Sequence, residues 1–134
     1  MKLLRALFIL VLASMLCVTT WASLRCPLFA VPRDVFAHPW FIATLFDTYW
    51  GFTTFFVWVC LKQTASSARF AWFVAIMLLG NIAMASYCLS ELWRLPSGGT
   101  AADLLTSRRD GLGRLGPALA CLGVLVVALA WPRT

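Results

Sequence analysis

Charged residues are scarce in this 134-residue chain: they make up 12% of it, and only five are Asp or Glu. Soluble domains contain about 25% charged and roughly 45–50% apolar residues, whereas 62% of this chain is hydrophobic. A small domain has too much surface for its volume to hide so many apolar side chains from water. The composition therefore excludes an ordinary water-soluble fold and indicates that lipid covers much of the surface.

Signatures of metal and redox sites are also missing. The chain has a single histidine, His38, and its five cysteines show no CxxC spacing, which excludes a multi-histidine metal site and gives no support to a zinc or dithiol site. No basic run is interleaved with aromatic residues, so the net charge of +6 favours anionic lipid head groups over nucleic acid as a partner. We expect no metal and no other cofactor, while a bound lipid would fit.

Four apolar runs predict an all-α fold, a small polytopic transmembrane bundle in which the whole chain is one membrane domain. The expected spans are residues 6–24, 40–61, 70–93 and 115–131. The first follows two basic residues, and we interpret it as an uncleaved signal-anchor helix rather than a cleaved secretory signal. Residues 25–39 predict a loop, because three prolines interrupt regular structure there.

A short interfacial helix is expected over residues 101–109. Thr100 and Asp103 have the spacing of a capping box, and Gly111 follows at a suitable helix end. Glycine and alanine at 116, 120 and 123 predict a packing groove on the last helix. The residues expected at the membrane interface are Trp40, Trp93, Arg94, Arg108 and Arg109.

The orientation of the bundle is weakly encoded. With four spans both chain ends share one side, and the two sides carry five and six basic residues. This difference does not decide the orientation by the positive-inside rule. The signal-anchor start favours a cytoplasmic location for both ends.

Asp47 is the unusual residue, because it lies two turns inside an apolar helix, in the stretch HPWFIATLFDTYW. A charged side chain at mid-bilayer costs roughly 2.5–3.5 kcal/mol. Small and hydroxyl residues share its helical face, so we expect it to face the third helix near Asn81 or Tyr87. The predicted intramembrane polar cluster comprises Thr44, Asp47, Tyr49, Asn81, Ser86, Tyr87 and Glu91.

We expect different roles for the members of this cluster. For Thr44, Asn81 and Ser86, hydrogen bonding between helices is favoured over chemistry. For Asp47 a structural and a functional role are weighed about equally. Glu91 is expected to form an interfacial ion pair near Arg94.

The second apolar run resembles the core of an uncharacterised family, a domain of unknown function found in small membrane proteins of plants and bacteria. The residues that carry the resemblance in this run are Pro39, Trp40, Ala43, Thr44, Leu45, Asp47, Tyr49, Val57, Trp58, Val59 and Lys62. Gly80-Asn81-Ile82 and Tyr87 extend it, so that it covers about residues 1–95. The resemblance implies a three-helix core and no activity.

No catalytic constellation is present in the sequence, and a non-enzymatic role is favoured. We expect an accessory or scaffold subunit of a larger membrane complex, with the bilayer and other membrane subunits as partners. Two alternatives stay open at this point. One is a small proton-coupled transporter acting as an oligomer, and the other is a membrane enzyme that uses Asp47 as an acid on a lipid or isoprenoid.

Overall fold

The computed structural model describes residues 1–96 and 98–131, and this part of the chain is helical throughout apart from its connections. The helices are α1 (Lys2–Arg25), α2 (Arg33–Ala37), α3 (Pro39–Lys62), α4 (Ser66–Leu79), α5 (Asn81–Arg94), α6 (Ala101–Thr106) and α7 (Leu115–Ala130). A 3-10 turn, Leu28–Ala30, lies between α1 and α2. The prediction of an all-α fold is confirmed.

Within the described residues, α1 alone is both long enough and apolar enough to cross a membrane by itself, and a signal sequence near the amino terminus would meet the same criteria. Helix α3 has the same length but carries Asp47 and several hydroxyl side chains. Helix α7 has 16 residues, about 24 Å. The prediction of four spans is therefore not confirmed.

The segment between α1 and α3 is more regular than expected. Pro27 and Pro32 both adopt an extended backbone, with ψ of 142° and 141°, and each immediately precedes a short helical turn. Proline suits this position, because its fixed φ and missing N–H are compatible with the start of a helix. The expected loop at residues 25–39 thus contains the 3-10 turn and α2.

The predicted third span is broken at Gly80, which has φ +52° and ψ −126°. The rings of Trp72 and Tyr87, on opposite sides of this break, lie only 4.8 Å apart, whereas fifteen residues of straight helix would cover about 22 Å. Helices α4 and α5 therefore fold back on each other as a hairpin. The single helix expected at residues 70–93 is wrong, and each arm has 14 residues, about 21 Å against a hydrocarbon core of roughly 30 Å.

Helix α7 packs along α4 in the same direction. Gly116 is buried against the indole of Trp72. Gly123, two turns later on α7, is buried against Leu78. Absent side chains at these two positions let the helices approach closely, as small residues do in helix pairs. The predicted packing groove on the last helix is thus occupied by α4.

Helices α3 and α1 pack on the hairpin in the opposite direction to the arm that each contacts. The ring of Phe52 abuts Gly80, and Phe56 lies 5.2 Å from Phe73 by ring centroids, so α3 is antiparallel to α4. Arg5 of α1 donates from Nη2 to the carbonyl of Leu92 at 2.8 Å, so the start of α1 meets the end of α5. The buried core around these contacts consists of Val59, Trp72, Ala75, Ile76, Ala83 and Tyr87.

The two ends of the bundle are marked by different contacts. Arg5 meets Leu92 at one end, which we call the Arg5 end. Phe29 meets Trp131 at the other, with ring centroids 5.2 Å apart, which we call the Gly80 end. The start of α1 therefore lies at the Arg5 end and the end of α7 lies at the Gly80 end, because the hairpin adds a reversal. The expectation that both chain ends share one side of a membrane stays a prediction.

The conformation at Gly80 predicts the effect of adding a side chain there. A Cβ at this position would lie 2.5 Å from Cζ of Phe52, and an L-residue at this positive φ is strained. We expect Gly80→Ala to lower the free energy of unfolding by on the order of 2 kcal/mol. Chemical unfolding in mild detergent, followed by circular dichroism, measures this.

Gly51 provides the matched control, since it lies inside α3 with nothing within 4 Å of its Cβ position. Gly51→Ala should be neutral or stabilising by roughly 0.5–1 kcal/mol, because alanine loses less backbone entropy in a helix. Equal stability of the two variants would contradict the hairpin geometry.

Candidate functional site

A buried ion cluster forms where α3, α5 and the segment after α6 meet at the Arg5 end. The carboxylate of Glu91 is 1% exposed and lies 2.6 Å from Nζ of Lys62. Nε of Arg109 donates to both oxygens of the same carboxylate, at 2.9 and 3.1 Å. Hydrogen bonds between ionised partners are about twice as strong as neutral ones, and here one acid is shared by two cations.

The ammonium of Lys62 has hydrogen-bond acceptors in addition to the carboxylate of its ion pair. Its ammonium donates to the carbonyl of Leu104 and, at 3.4 Å, to the hydroxyl of Ser107, so that its three donors have three partners. It also lies 5.1 Å from the ring centroid of Trp58, one turn earlier on α3. These contacts offset the loss of hydration that a 1% exposed lysine would otherwise suffer.

Backbone contacts attach the segment after α6 to the end of α3. The N–H of Arg109 donates to the carbonyl of Lys62 at 2.7 Å, and the N–H of Thr64 donates back to the carbonyl of Arg109 at 2.9 Å. The hydroxyl of Thr64 donates to Asp110 at 2.7 Å. The ion cluster is thus the side-chain part of a dock that holds residues 104–110 on the bundle.

A polar cleft adjoins the ion cluster and encloses about 40 Å³. Its wall includes Arg94, Arg109, Ser90 and Tyr87, closed on one side by the glycine-containing turn before α7. Within this wall, Nε2 of Gln63 donates to the hydroxyl of Tyr87 at 3.4 Å. The cleft is the place in the described structure where several polar side chains converge.

Asp47 lies outside this site, and the expectation that it faces the third helix is wrong. Its side chain is exposed, whereas both ion pairs found among the described residues involve Glu91. The reason is the hairpin: Phe52 already lies level with Gly80, so the hairpin ends before it reaches Asp47. The expected partners turn back toward the Arg5 end.

The structure separates the other members of the predicted polar cluster. Tyr87 and Glu91 are buried together at the Arg5 end, while Tyr49 and Asn81 are exposed. Thr44 donates to the carbonyl of Trp40 and Ser86 donates to that of Ile82, each one turn back in its own helix. These hydroxyls therefore do not make the hydrogen bonds between helices that were expected of them.

Of the residues expected at the membrane interface, all but one are exposed. Trp40, Trp93, Arg94 and Arg108 are exposed. Arg109 is instead only 24% exposed, because Glu91 holds its guanidinium. The ion pair expected for Glu91 is present, but it is buried and is made with Lys62 and Arg109 rather than Arg94.

The predicted capping box is confirmed, since Thr100 and Asp103 bond reciprocally at the start of α6. The helix that follows ends at Thr106, earlier than the expected residue 109, because the backbone at 107–109 pairs with α3. The Asp103 carboxyl accepts two hydrogen bonds from Thr100, one from the backbone N–H and one from the hydroxyl. These bonds, the backbone one first, hold the pKa of Asp103 below its ordinary value.

Several residues of the site were not predicted as such, among them Lys62, Gln63 and Ser90. The available signal was a lysine closing an apolar helix one turn after Trp58, a spacing that suits a cation–π contact. In the described residues no group of three His, Cys, Asp or Glu side chains could hold a metal ion. The arrangement offers hydrogen-bond donors and positive charge rather than a nucleophile with a base.

Comparison with protein families assigns the chain. It matches the model of the family described as "Protein of unknown function (DUF1475)" over residues 1–129. A bundle organised by a hairpin and a buried ion cluster is thus the structure of a DUF1475 protein, and the chain belongs to that family. The match includes α7, so the expectation that the resemblance stops near residue 95 is wrong. No curated protein and no solved structure matches the chain.

The ion cluster predicts that removing only the charge of Glu91 will be costly. Glu91→Gln keeps the side-chain shape but leaves Lys62 buried without a counter-ion, and we expect a loss of about 3–5 kcal/mol in unfolding free energy. Asp110→Asn, at an exposed acid of the same segment, serves as the control and should cost less than about 1 kcal/mol. Chemical unfolding in detergent measures both.

A second variant separates charge from packing. The double substitution Lys62→Met with Glu91→Leu removes both buried charges and should recover most of the stability lost in Glu91→Gln. If the double variant is no more stable than Glu91→Gln, an uncompensated charge is not the cause.

The pKa of Asp103 predicts how α6 responds to pH. Because the pKa in the folded state is lowered, the cap stabilises α6 above the ordinary Asp range, and this contribution is lost as the pH falls through the folded-state pKa. Thr100→Val should raise this pKa only partly, since the backbone donor remains. Carboxyl chemical shifts in an NMR titration measure it, and an unchanged pKa would show that the hydroxyl contributes nothing.

Proposed function

We propose that this chain is a non-enzymatic integral membrane protein that serves as an accessory or scaffold subunit of a larger membrane complex. The observation that carries the proposal is the first half of α3, which continues past the tip of the hairpin and exposes Asp47 there. Lipid offers this carboxylate no hydrogen-bond donor, and leaving a charge there costs roughly 2.5–3.5 kcal/mol. A second polypeptide that donates to Asp47 removes that cost.

An apolar surface on the same half of α3 as Asp47 suits a helix of another subunit. Leu45, Phe46, Tyr49, Trp50 and Thr53 form an open, largely apolar surface on α3. Phe46 and Trp50 are each 66% exposed, and aromatic side chains of this kind contribute strongly to protein interfaces. The proposed occupant is a transmembrane helix that places a hydrogen-bond donor or a cation at the level of Asp47.

The proposed topology has three spanning helices, α1, α3 and α7, with the α4–α5 hairpin entering to partial depth. The charge distribution supports one orientation. The basic residues at the Arg5 end are Lys2, Arg5, Lys62, Arg69, Arg94, Arg108, Arg109 and Arg114, and those at the Gly80 end within the described residues are Arg25 and Arg33. Eight against two favours a cytoplasmic Arg5 end by the positive-inside rule.

The alternatives receive less support from the geometry. A proton-coupled transporter or an acid catalyst built on Asp47 needs a second polar group within reach of it. Tyr87 and Glu91 of the predicted polar cluster lie at the Arg5 end. The aromatic hydroxyl on α3, that of Tyr49, belongs to an exposed side chain. An accessory role requires no such group.

The topology predicts opposite locations for the two ends of α3. Single-cysteine variants at Thr64 and Arg33, built on a chain whose five native cysteines are changed to serine, should react with an impermeant maleimide from opposite faces of sealed vesicles. Thr64 should be reached from the cytoplasmic face and Arg33 from the other. Labelling of both positions from one face would contradict a bundle with three spanning helices.

The role of Asp47 predicts loss of a partner without loss of fold. Asp47→Leu should release a stoichiometric membrane protein that co-purifies with the wild-type chain in mild detergent, while the unfolding free energy changes by less than about 1 kcal/mol because the side chain is exposed. Val126→Leu, at an exposed position of α7, is the control and should retain the partner. Assembly of the chain only with copies of itself would overturn the accessory role and favour the oligomeric transporter.

A further inference from the structure

We infer that the cleft beside the ion cluster is a binding site for a phosphate group, carried either by the head group of an anionic lipid or by a soluble phosphate compound. The inference is independent of the accessory role, because it concerns the Arg5 end and not α3. It rests on the polar lining, the size of the cleft and an unused hydrogen-bond donor in its wall.

The lining has the chemistry of an anion site. Arg94, Arg109 and Ser90 border the cleft. Two acids, Glu91 and Asp110, border it as well, and the charge of Glu91 is already neutralised by its ion pairs. Glu91 engages Arg109 through Nε alone, which leaves the two terminal nitrogens of that guanidinium for another acceptor. Arginine presents five donors in a planar fork that matches phosphate geometry.

Tyr87 provides an independent indication of an acceptor in the cleft. Its side chain is 1% exposed and its hydroxyl accepts from Gln63, but that hydroxyl donates to no side chain or backbone group of the described residues. A buried hydroxyl normally uses its proton in a hydrogen bond. A phosphate oxygen at the bottom of the cleft would supply the missing acceptor.

The size of the cleft limits what it accepts. About 40 Å³ corresponds to roughly three water-sized positions at ~10–15 Å³ each, which suits the oxygens of one tetrahedral anion. A nucleobase or sugar does not fit beside them and would have to remain outside. The helix α7 begins at the rim of the cleft with Leu115 and Gly116, and its amino-terminal dipole adds to the attraction for an anion.

The two sources of phosphate are distinguished by two binding assays on the purified full chain. Inorganic phosphate is titrated by isothermal calorimetry into protein in uncharged detergent. Lipid retention is measured by native mass spectrometry after reconstitution into nanodiscs of phosphatidylcholine, with or without phosphatidic acid. Selective retention of phosphatidic acid assigns a lipid head group, and calorimetric binding without lipid selection assigns a soluble phosphate.

The variants test whether the cleft itself is responsible. Arg94→Gln should weaken phosphate or lipid binding by about tenfold, the effect of losing one charge-assisted hydrogen bond, and Tyr87→Phe should weaken it while keeping the ring. Arg108→Gln removes an exposed arginine of the same region that does not line the cleft, and it should change binding less than about twofold.

Two results would overturn the assignment. One is the absence of binding of both inorganic phosphate and phosphatidic acid by the wild-type chain, which would leave the cleft as a water-filled gap. The other is an equal loss in Arg94→Gln and Arg108→Gln, which would mean that the overall positive charge of this end attracts anions without a site. Unfolding curves of each variant confirm that the loss is not due to a failure to fold.

Discussion

The reversal of the chain at Gly80 is the constraint on which the rest of the structure depends. A positive φ and the contact with Phe52 require glycine there, and the two 14-residue arms then pack on each other through Trp72 and Tyr87. The hairpin brings the end of α5 back to the end of α3, which makes the ion cluster geometrically available. It also leaves Asp47 beyond the packed part of the bundle and places the start of α1 and the end of α7 at opposite ends of the bundle.

The ion cluster connects the end of the hairpin to two other parts of the chain. Glu91 arrives from α5, Lys62 from α3 and Arg109 from the segment between α6 and α7, so one carboxylate joins three parts of the chain. Buried pairs of this kind add little net stability compared with apolar packing, but they penalise every arrangement in which a member is left without its partner. In this bundle, whose other contacts are largely apolar and weakly directional, the cluster fixes how residues 104–110 sit on α3.

Much of the fold follows from the sequence, because α1, α3 and α7 are apolar runs with clear ends and Thr100 with Asp103 marks the start of α6. The hairpin was not predicted, since a single glycine is common inside transmembrane helices and the apolar run continues across Gly80. Gly80-Asn81 was nevertheless a turn signal. Once one straight helix was assumed, Asp47 was placed level with Asn81 and Tyr87. The pairing of Lys62 with Glu91 was then out of reach, because it exists only if the helix turns back.

The Lys62 contacts also set an order for biosynthesis. The carbonyl of Leu104 that receives the lysine lies 42 residues later in the chain, and Arg109 follows Glu91 by 18 residues. When α3 leaves the ribosome, its terminal ammonium has no protein partner and must keep its water. The lysine is therefore fully withdrawn from water only when residues 104–109 have docked on α3. Until then, the cost of burying an unpaired ammonium keeps the end of α3 in contact with water.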